Sequence, residues 1–292
     1  MLLTLPYPEI DPVAIELGPL VIRWYALAYI AGFLLGYAYC VRMANRTPAA
    51  WTRYPSAGDF SDFLTWAVIG TIIGGRLGFV LFYMPGHFLN NPLEILRIWE
   101  GGMAFHGGLL GVAVAIVLFA RSRGRSPFAL GDLIACAAPI GLFFGRIANF
   151  INNELWGRPS DLPWAMTFPI PDRLEIYLPE VPRHPSQIYE AVLEGIVLFV
   201  LLLVLRRYPA ISGRPGMLSG IFLTGYGLAR FLVEFARQYD LQVGLIGGLI
   251  TMGQILSLPM IAIGIGMAVW ARRRTPAPDN ADRGGGTSRG RA

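Results

Sequence analysis

Apolar residues gather in seven blocks along the chain, at about 19–41, 60–83, 104–120, 129–147, 188–205, 217–236 and 245–270, and the charged residues fall mostly between them. Most blocks approach the ~20 residues that a helix needs to cross a hydrocarbon core, and the third is the shortest. The pattern predicts an all-α polytopic membrane protein with about seven transmembrane helices. Intervals between blocks are short with one exception, the proline-rich stretch at 150–187 that contains "WGRPSDLPWAMTFPIPDRLEIYLPEVPRHPSQ". A segment of that length inside a compact protein is usually functional or disordered. Its aromatic residues Trp156, Trp164, Phe168 and Tyr177 predict a small ordered head between helices four and five, on the outer face. The expected organisation is a single transmembrane domain over 1–274, with the head inserted at about 150–187. A disordered tail, "TPAPDNADRGGGTSRGRA", follows at 275–292.

Composition sharpens this picture. Only 15% of the residues are charged and mean hydropathy is +0.50, whereas a soluble domain carries about 25% charged residues. All 24 basic residues are arginine. Fifteen of them follow blocks one, three, five and seven, including Arg42, Arg121, Arg206 and the run from Arg272 to Arg291. The opposite intervals hold five: Arg97, Arg158, Arg173, Arg183 and Arg237. The positive-inside rule then puts the N-terminus outside and the C-terminus in the cytoplasm. The net charge of +5 is therefore mostly a topology signal, and without a basic folded patch no nucleic-acid partner is expected. Residues 1–18 lack a basic n-region and a cleavage-like end, so no removable signal peptide is expected. Cys40 and Cys136 lie in apolar runs without repeated spacing and predict neither a disulfide nor a zinc site. Paired glycines, as in "IIGGRLG" and "HGGLLG", suit close helix packing in lipid.

Charges inside the apolar blocks are the candidates for chemistry, because each costs roughly 2.5–3.5 kcal/mol to insert. Five places qualify: Arg23 with Tyr25, Arg76, His106, Arg146 with its asparagines, and Arg230 with Glu234. Tyr226, Arg230 and Glu234 follow at intervals of four, which sets them on one helical face and lets Arg230 pair with Glu234. Arg146, Asn149 and Asn153 share a face by the same spacing, and Glu154 and Arg158 follow at the membrane exit. The blander readings are a structural ion pair at Arg230 and snorkelling at Arg146. The topology, however, places both arginines in the outer half of the bilayer, where two guanidiniums suit one anionic group such as phosphate. His106 opens the third block between glycines, and there an imidazole can either order a helix start or accept a proton.

Pairs of acids at metal-ligand spacing, nucleotide-binding glycine loops and GxSxG are absent from the sequence. That disfavours a metallohydrolase, an ATP-driven pump and a serine rhomboid. An enzyme acting on an anionic lipid and a transporter or flippase of one both fit buried outer arginines. Paired interrupted helices in inverted repeats would favour the transporter, and no such repeat is visible. An assembly factor without chemistry would leave the clustered polar motifs unexplained.

The stretches "GPLVIRWYALAYIAGF", "GGRLGFVLFY", "WEGGMAFHGGLLG", "GRIANFINNELWGR", "RHPSQIYEAVLEG", "GYGLARFLVEFARQ" and "MGQILSLPM" cover nearly the whole chain. In them the chain resembles the prolipoprotein diacylglyceryl transferases, enzymes of the bacterial inner membrane. The resemblance implies transfer of the diacylglyceryl group of phosphatidylglycerol to the lipobox cysteine of a prolipoprotein signal peptide. A thioether forms and glycerol phosphate leaves, with no cofactor and no metal. Domain 1–274 would then be the catalytic domain, and membrane lipids its surroundings. By resemblance Arg146 matches the phosphate-binding arginine of "GRxxNFIN", and Asn149 and Glu154 match the polar positions after it. With Tyr226 and Arg76 these form the expected substrate-binding set. Arg230 and Glu234 match an essential pair, His106 the histidine of "HGG" and Tyr25 the tyrosine of the first span; these four form the expected catalytic set. Ala148, Asn153 and Ala26 stand where the family usually has glycine. Ala148 adds a methyl group, and asparagine at 153 tolerates left-handed backbone angles better than most residues.

Overall fold

The computed structural model describes residues 5–8, 10–170, 179–239 and 244–276. Tyr177 of the expected head, and the expected tail from 277 onward, lie outside these residues. Helices dominate. They are α1 (Trp24–Asn45), α2 (Ala57–Phe82), α3 (Pro85–Asn90), α4 (Phe105–Ser122), α5 (Pro127–Ile151), α6 (Ser186–Leu205), α7 (Pro209–Ser212), α8 (Met217–Val233) and α9 (Met252–Arg272). Five of them, α1, α2, α5, α6 and α9, are long and apolar enough to cross a membrane, and α4 and α8 are shorter apolar helices. This is a polytopic membrane protein.

Two block boundaries differ from the sequence reading. The first block does not open in helix: Val13–Leu17 (β2) and Leu20–Arg23 (β3) form an antiparallel hairpin turned at Gly18, and α1 starts only at Trp24. Arg23 thus ends a strand. In the last block, residues 245–251 lie outside α9, which begins at Met252 behind the N-cap Thr251. Apolar content alone does not separate strand or turn from helix over so few residues.

The chain divides into two compact units, and α1 and α5 each pass through the division. The first unit is built on Met1–Tyr39 and Ala135–Pro276. Within it the segment after α5 is an ordered head. Met166–Thr167 (β4) pairs with Pro182–Arg183 (β5) and, in parallel, with Leu5–Pro6 (β1). Tyr7, Trp156, Phe168 and Ile170 form its buried core. The one Tyr7 hydroxyl proton is shared between the carbonyls of Phe150 (2.6 Å) and Ile151 (2.9 Å), orphan acceptors at the end of α5. Burial raises the pKa of this phenol, partly offset by a backbone bond at Asn153. Arg183 is fully buried with its guanidinium 4.9 Å from the Trp156 ring centre.

The second unit is built on Cys40–Ile134. Ser56 and Asp59 cap α2 reciprocally, and Arg125 closes on Asp59 at 2.9 Å. Helices α2 and α4 meet through a glycine seam, Gly70, Gly74 and Gly78 against Gly107 and Gly111. A Cβ on Gly78 would lie 2.8 Å from the Gly107 Cα, so neither helix could approach as closely with larger residues.

Candidate functional site

Helix α6 holds the most apolar stretch of the long helices, yet Glu190 and Glu194 on it are fully buried. Two carboxylates in such a run demand compensation. A π-helical turn over Ala191–Val197 carries Glu194, a local widening often found at functional sites. The compensation arrives from two other elements. Arg146 near the end of α5 donates to Glu194 Oε2 through Nε (3.3 Å) and Nη2 (3.2 Å), and its Nε faces Glu190 Oε2 at 3.2 Å. Arg230 of α8 binds Glu190 Oε1 through Nη1 and Glu234 Oε1 through Nη2. Arg237, just past α8, donates to Glu190 Oε1 at 2.9 Å.

Glu190 is thus a hub for three arginines. The two glutamates of α6 are fully buried, while the side chains of Arg146, Arg230 and Arg237 remain 17%, 17% and 18% exposed. The acids are closed off while the three arginine side chains that meet them stay partly exposed. Tyr226, one turn before Arg230, lies within electrostatic reach of Arg146, Arg230, Glu190 and Glu194.

A second polar group adjoins the end of α5. Asn149 Nδ2 donates to Glu154 Oε1 at 2.8 Å, and the Asn149 side chain also reaches the Tyr25 phenol, which lies 3.3 Å from the Tyr29 hydroxyl. The common helical face expected for Arg146, Asn149 and Asn153 stops at Asn149, because α5 ends at Ile151. Asn153 has left the helix with φ +52° and Leu155 follows with φ +61°. The backbone therefore enters the left-handed region at the position where a family glycine was noted. Asn153 Nδ2 donates to the Pro169 carbonyl at 2.6 Å and ties this turn to the head. From the start of α6, the Ser186 hydroxyl and Gln187 Nε2 hold the carbonyls of Leu155 (2.9 Å) and Glu154 (2.7 Å).

Arg76 and His106 belong to the second unit. Arg76 is buried and its guanidinium is committed to backbone carbonyls: Ile95 (2.9 Å), Gly101 (2.6 Å), Gly102 (3.3 Å) and Glu94 (2.5 Å). It orders the segment leading into α4, and this geometry offers no support for a grip on substrate. His106 is exposed at the second residue of α4, whose N-cap Ala104 supplies no side-chain bond.

Sequence reasoning brought Arg146, Arg230 and Glu234 together and missed three members of the cluster. Glu190 and Glu194 carry a signal it could have used, two acids four apart in a very apolar run. Arg237 carried none, being one of five arginines assigned to outer loops. Among the described residues no group of three or more His, Cys, Asp or Glu is arranged to hold a metal ion.

The chain matches the family model described as "Prolipoprotein diacylglyceryl transferase" over residues 12–270. It is 59% identical over 277 residues to the phosphatidylglycerol–prolipoprotein diacylglyceryl transferase of Azospirillum brasilense, covering 94% of this chain and 100% of the relative. The enzyme of the same name from Rhodospirillum centenum is 56% identical over 283 residues, covering 96% and 99%. That of Paramagnetospirillum magneticum is 54% identical over 275 residues, covering 94% and 98%.

Proposed function

Since this chain belongs to the family of prolipoprotein diacylglyceryl transferases, we propose that its buried ion cluster is the seat of the family's reaction. The diacylglyceryl group of phosphatidylglycerol passes to the lipobox cysteine of a prolipoprotein signal peptide. The bond between the glycerol carbon and the phosphate oxygen breaks, a carbon–sulfur bond forms, the thiol loses its proton, and glycerol phosphate leaves. One observation carries the site assignment: Arg146, Arg230 and Arg237 converge on the fully buried Glu190 while their own side chains stay partly exposed. Guanidiniums fixed from behind can take a phosphodiester on their open side through two donors. They are also preorganised for the charge that grows on the leaving phosphate.

Glu234 holds Arg230 in this scheme, and Tyr226 lines the same face. Asn149, Glu154 and Tyr25 make the adjoining polar wall for the lipid headgroup. By the resemblance alone, His106 of the second unit is the proposed acceptor of the thiol proton, and Arg76 in that unit orders the segment before α4. No cofactor is called for, because the thioether forms by direct displacement.

The proposed setting is the bacterial inner membrane, with residues 1–274 as the catalytic domain and 275–292 in the cytoplasm. All seven apolar helices cross in this reading. Helices α4 and α8, with 18 and 17 residues, reach roughly 25–27 Å at 1.5 Å per residue, close to the ~30 Å core. The arginine-poor intervals support an outer position for the N-terminus and the head.

Purified protein, phosphatidylglycerol and a lipobox peptide in detergent should give a mass gain on the peptide cysteine. Arg146→Lys and Arg230→Lys should give almost none, because lysine keeps the charge but loses the planar fork. Folded lysine variants with wild-type turnover would mean that a diffuse positive field suffices. Lipid movement between leaflets of a vesicle without any peptide modification would favour the transporter instead.

A further inference from the structure

The "MGQ" stretch that opens the last helix is part of the resemblance, yet nothing in the transfer chemistry calls for it. Its contacts supply a reason. Glu234 is nearly fully buried at the end of α8, and its two carboxylate oxygens have different partners. Oε1 faces Arg230 Nη2 and, at 3.8 Å, Arg237 Nε. Oε2 accepts a 2.7 Å hydrogen bond from the Thr251 hydroxyl.

Thr251 is itself buried and is the N-cap of α9. Its Oγ1 accepts from the Gln254 backbone N–H at 3.1 Å, and Gln254 Oε1 accepts from the Thr251 backbone N–H at 3.1 Å. A hydroxyl has one proton to donate. With Oγ1 serving as acceptor toward the helix, that proton is directed to Glu234. Gly253 closes the other side: a Cβ there would lie 2.5 Å from both Cδ and Oε1 of Glu234. The carboxylate is therefore bonded on one edge and sterically confined on the other.

We propose that Thr251 and Gly253 are positioning residues for the transfer reaction, which orient the Glu234 carboxylate so that Oε1 always faces Arg230. The start of α9 acts on the lipid phosphate only through Glu234 and Arg230. This inference rests on the reading of Arg230 and Glu234 as part of the site.

A double-mutant cycle tests it with the full-length enzyme, phosphatidylglycerol and a lipobox peptide. Thr251→Val should lower kcat/KM at least about tenfold, the scale of one hydrogen bond to a charged group, and Thr251→Ser should restore it. In a Glu234→Ala background, with its lower kcat/KM as the baseline, Thr251→Val should cost nothing further, since the interaction through which it acts is already gone. A role confined to capping α9 would lower the melting temperature and give additive losses, and additivity overturns the proposal. So does wild-type kcat/KM in a folded Thr251→Val enzyme. Should that variant not fold, Gly253→Ala, which leaves the cap intact, enters the same cycle with the same two outcomes. If Arg230→Ala and Glu234→Gln both keep wild-type kcat/KM, it is the site assignment that falls.

Discussion

Glu190 makes one carboxylate answer to three guanidiniums, Arg146, Arg230 and Arg237. Removing one partner of a buried ion pair typically costs 3–5 kcal/mol, because the remaining charge is left uncompensated. Glu190→Gln should therefore abolish transfer and lower the melting temperature in detergent by several degrees. Unchanged values of both would show that the arginines need no buried counter-charge. Asn153 poses a backbone question in place of an electrostatic one. Its φ of +52° costs a residue with a Cβ roughly 1–2 kcal/mol, so Asn153→Val should destabilise by about that amount. Asn153→Gly should stay near neutral, relief of strain offsetting the lost bond to Pro169. A thermal melt that ranks valine level with glycine would contradict this. That position was legible in advance, as a departure from a family glycine. Glu190 and Glu194 were equally legible in principle, because an acid in an apolar run costs as much as the arginines that drew attention. Arg237 was not, since no spacing rule brings a residue past one helix onto an acid 47 positions earlier. At His106 the chemistry itself is at issue. If its imidazole takes the thiol proton, His106→Asn should slow transfer by ~10²–10⁴-fold while phosphatidylglycerol still binds. The defect should shrink as pH approaches the free thiol's pKa near 8.5. Full activity of that variant at pH 7 would leave the arginines as the whole catalyst.

Helices in this protein approach one another by giving up side chains. Along the seam of α2 and α4, the Gly74 and Gly107 backbones leave no room for a methyl group. The sequence reading assigned paired glycines to close packing, and this seam bears that out. Gly74→Ala would force α2 and α4 apart, at a typical overpacking cost of about 1–3 kcal/mol. It should lower the melting temperature of the purified protein, and it should do so far more than Gly86→Ala, where an added Cβ meets nothing within 4 Å. Equal effects would mean that the seam does not depend on close approach. Element ends were less legible than element existence. The seven apolar blocks all contain helix, but residues 20–23 pair as a strand and 245–250 precede the cap at Thr251. Hydrophobicity reports what must leave water, whereas ends are set by caps and turns such as Gly18 and the Thr251–Gln254 box. The contribution of β1 to the head was hidden for a related reason, because pairing across some 160 residues leaves no local trace.

At the scale of the whole molecule, the arrangement of charges across the bilayer remains the strongest statement about orientation. Arginines concentrate in the last turns of α1, α4 and α9 and in the intervals after α1, α4, α6 and α9, fifteen against five in the opposite intervals. Arginine is held back from translocation during insertion, so the proposed orientation puts the rich side in the cytoplasm. In the second unit two arginines of the interval after α4 pair with acids near the start of α2, Arg123 with Asp62 at 2.7 Å and Arg125 with Asp59 at 2.9 Å. These pairs are consistent with arginines that stay in water and find partners there. The head, by contrast, holds one of its arginines inside: Arg183 is fully buried against Trp156 and bonded to the Gly157 carbonyl at 3.3 Å. A cysteine placed at Ser160, in the head, should react with an impermeant maleimide in intact spheroplasts. One placed at Ser122, beside Arg121 and Arg123, should react only after the membrane is opened. Both variants should be made in the Cys40→Ala, Cys136→Ala background, since the two native thiols are buried and structural. Labelling at Ser122 with protection at Ser160 would invert the molecule. It would also move the arginine cluster at the ends of α5 and α8 to the cytoplasmic leaflet, where the proposed site could not meet a lipobox cysteine presented from outside.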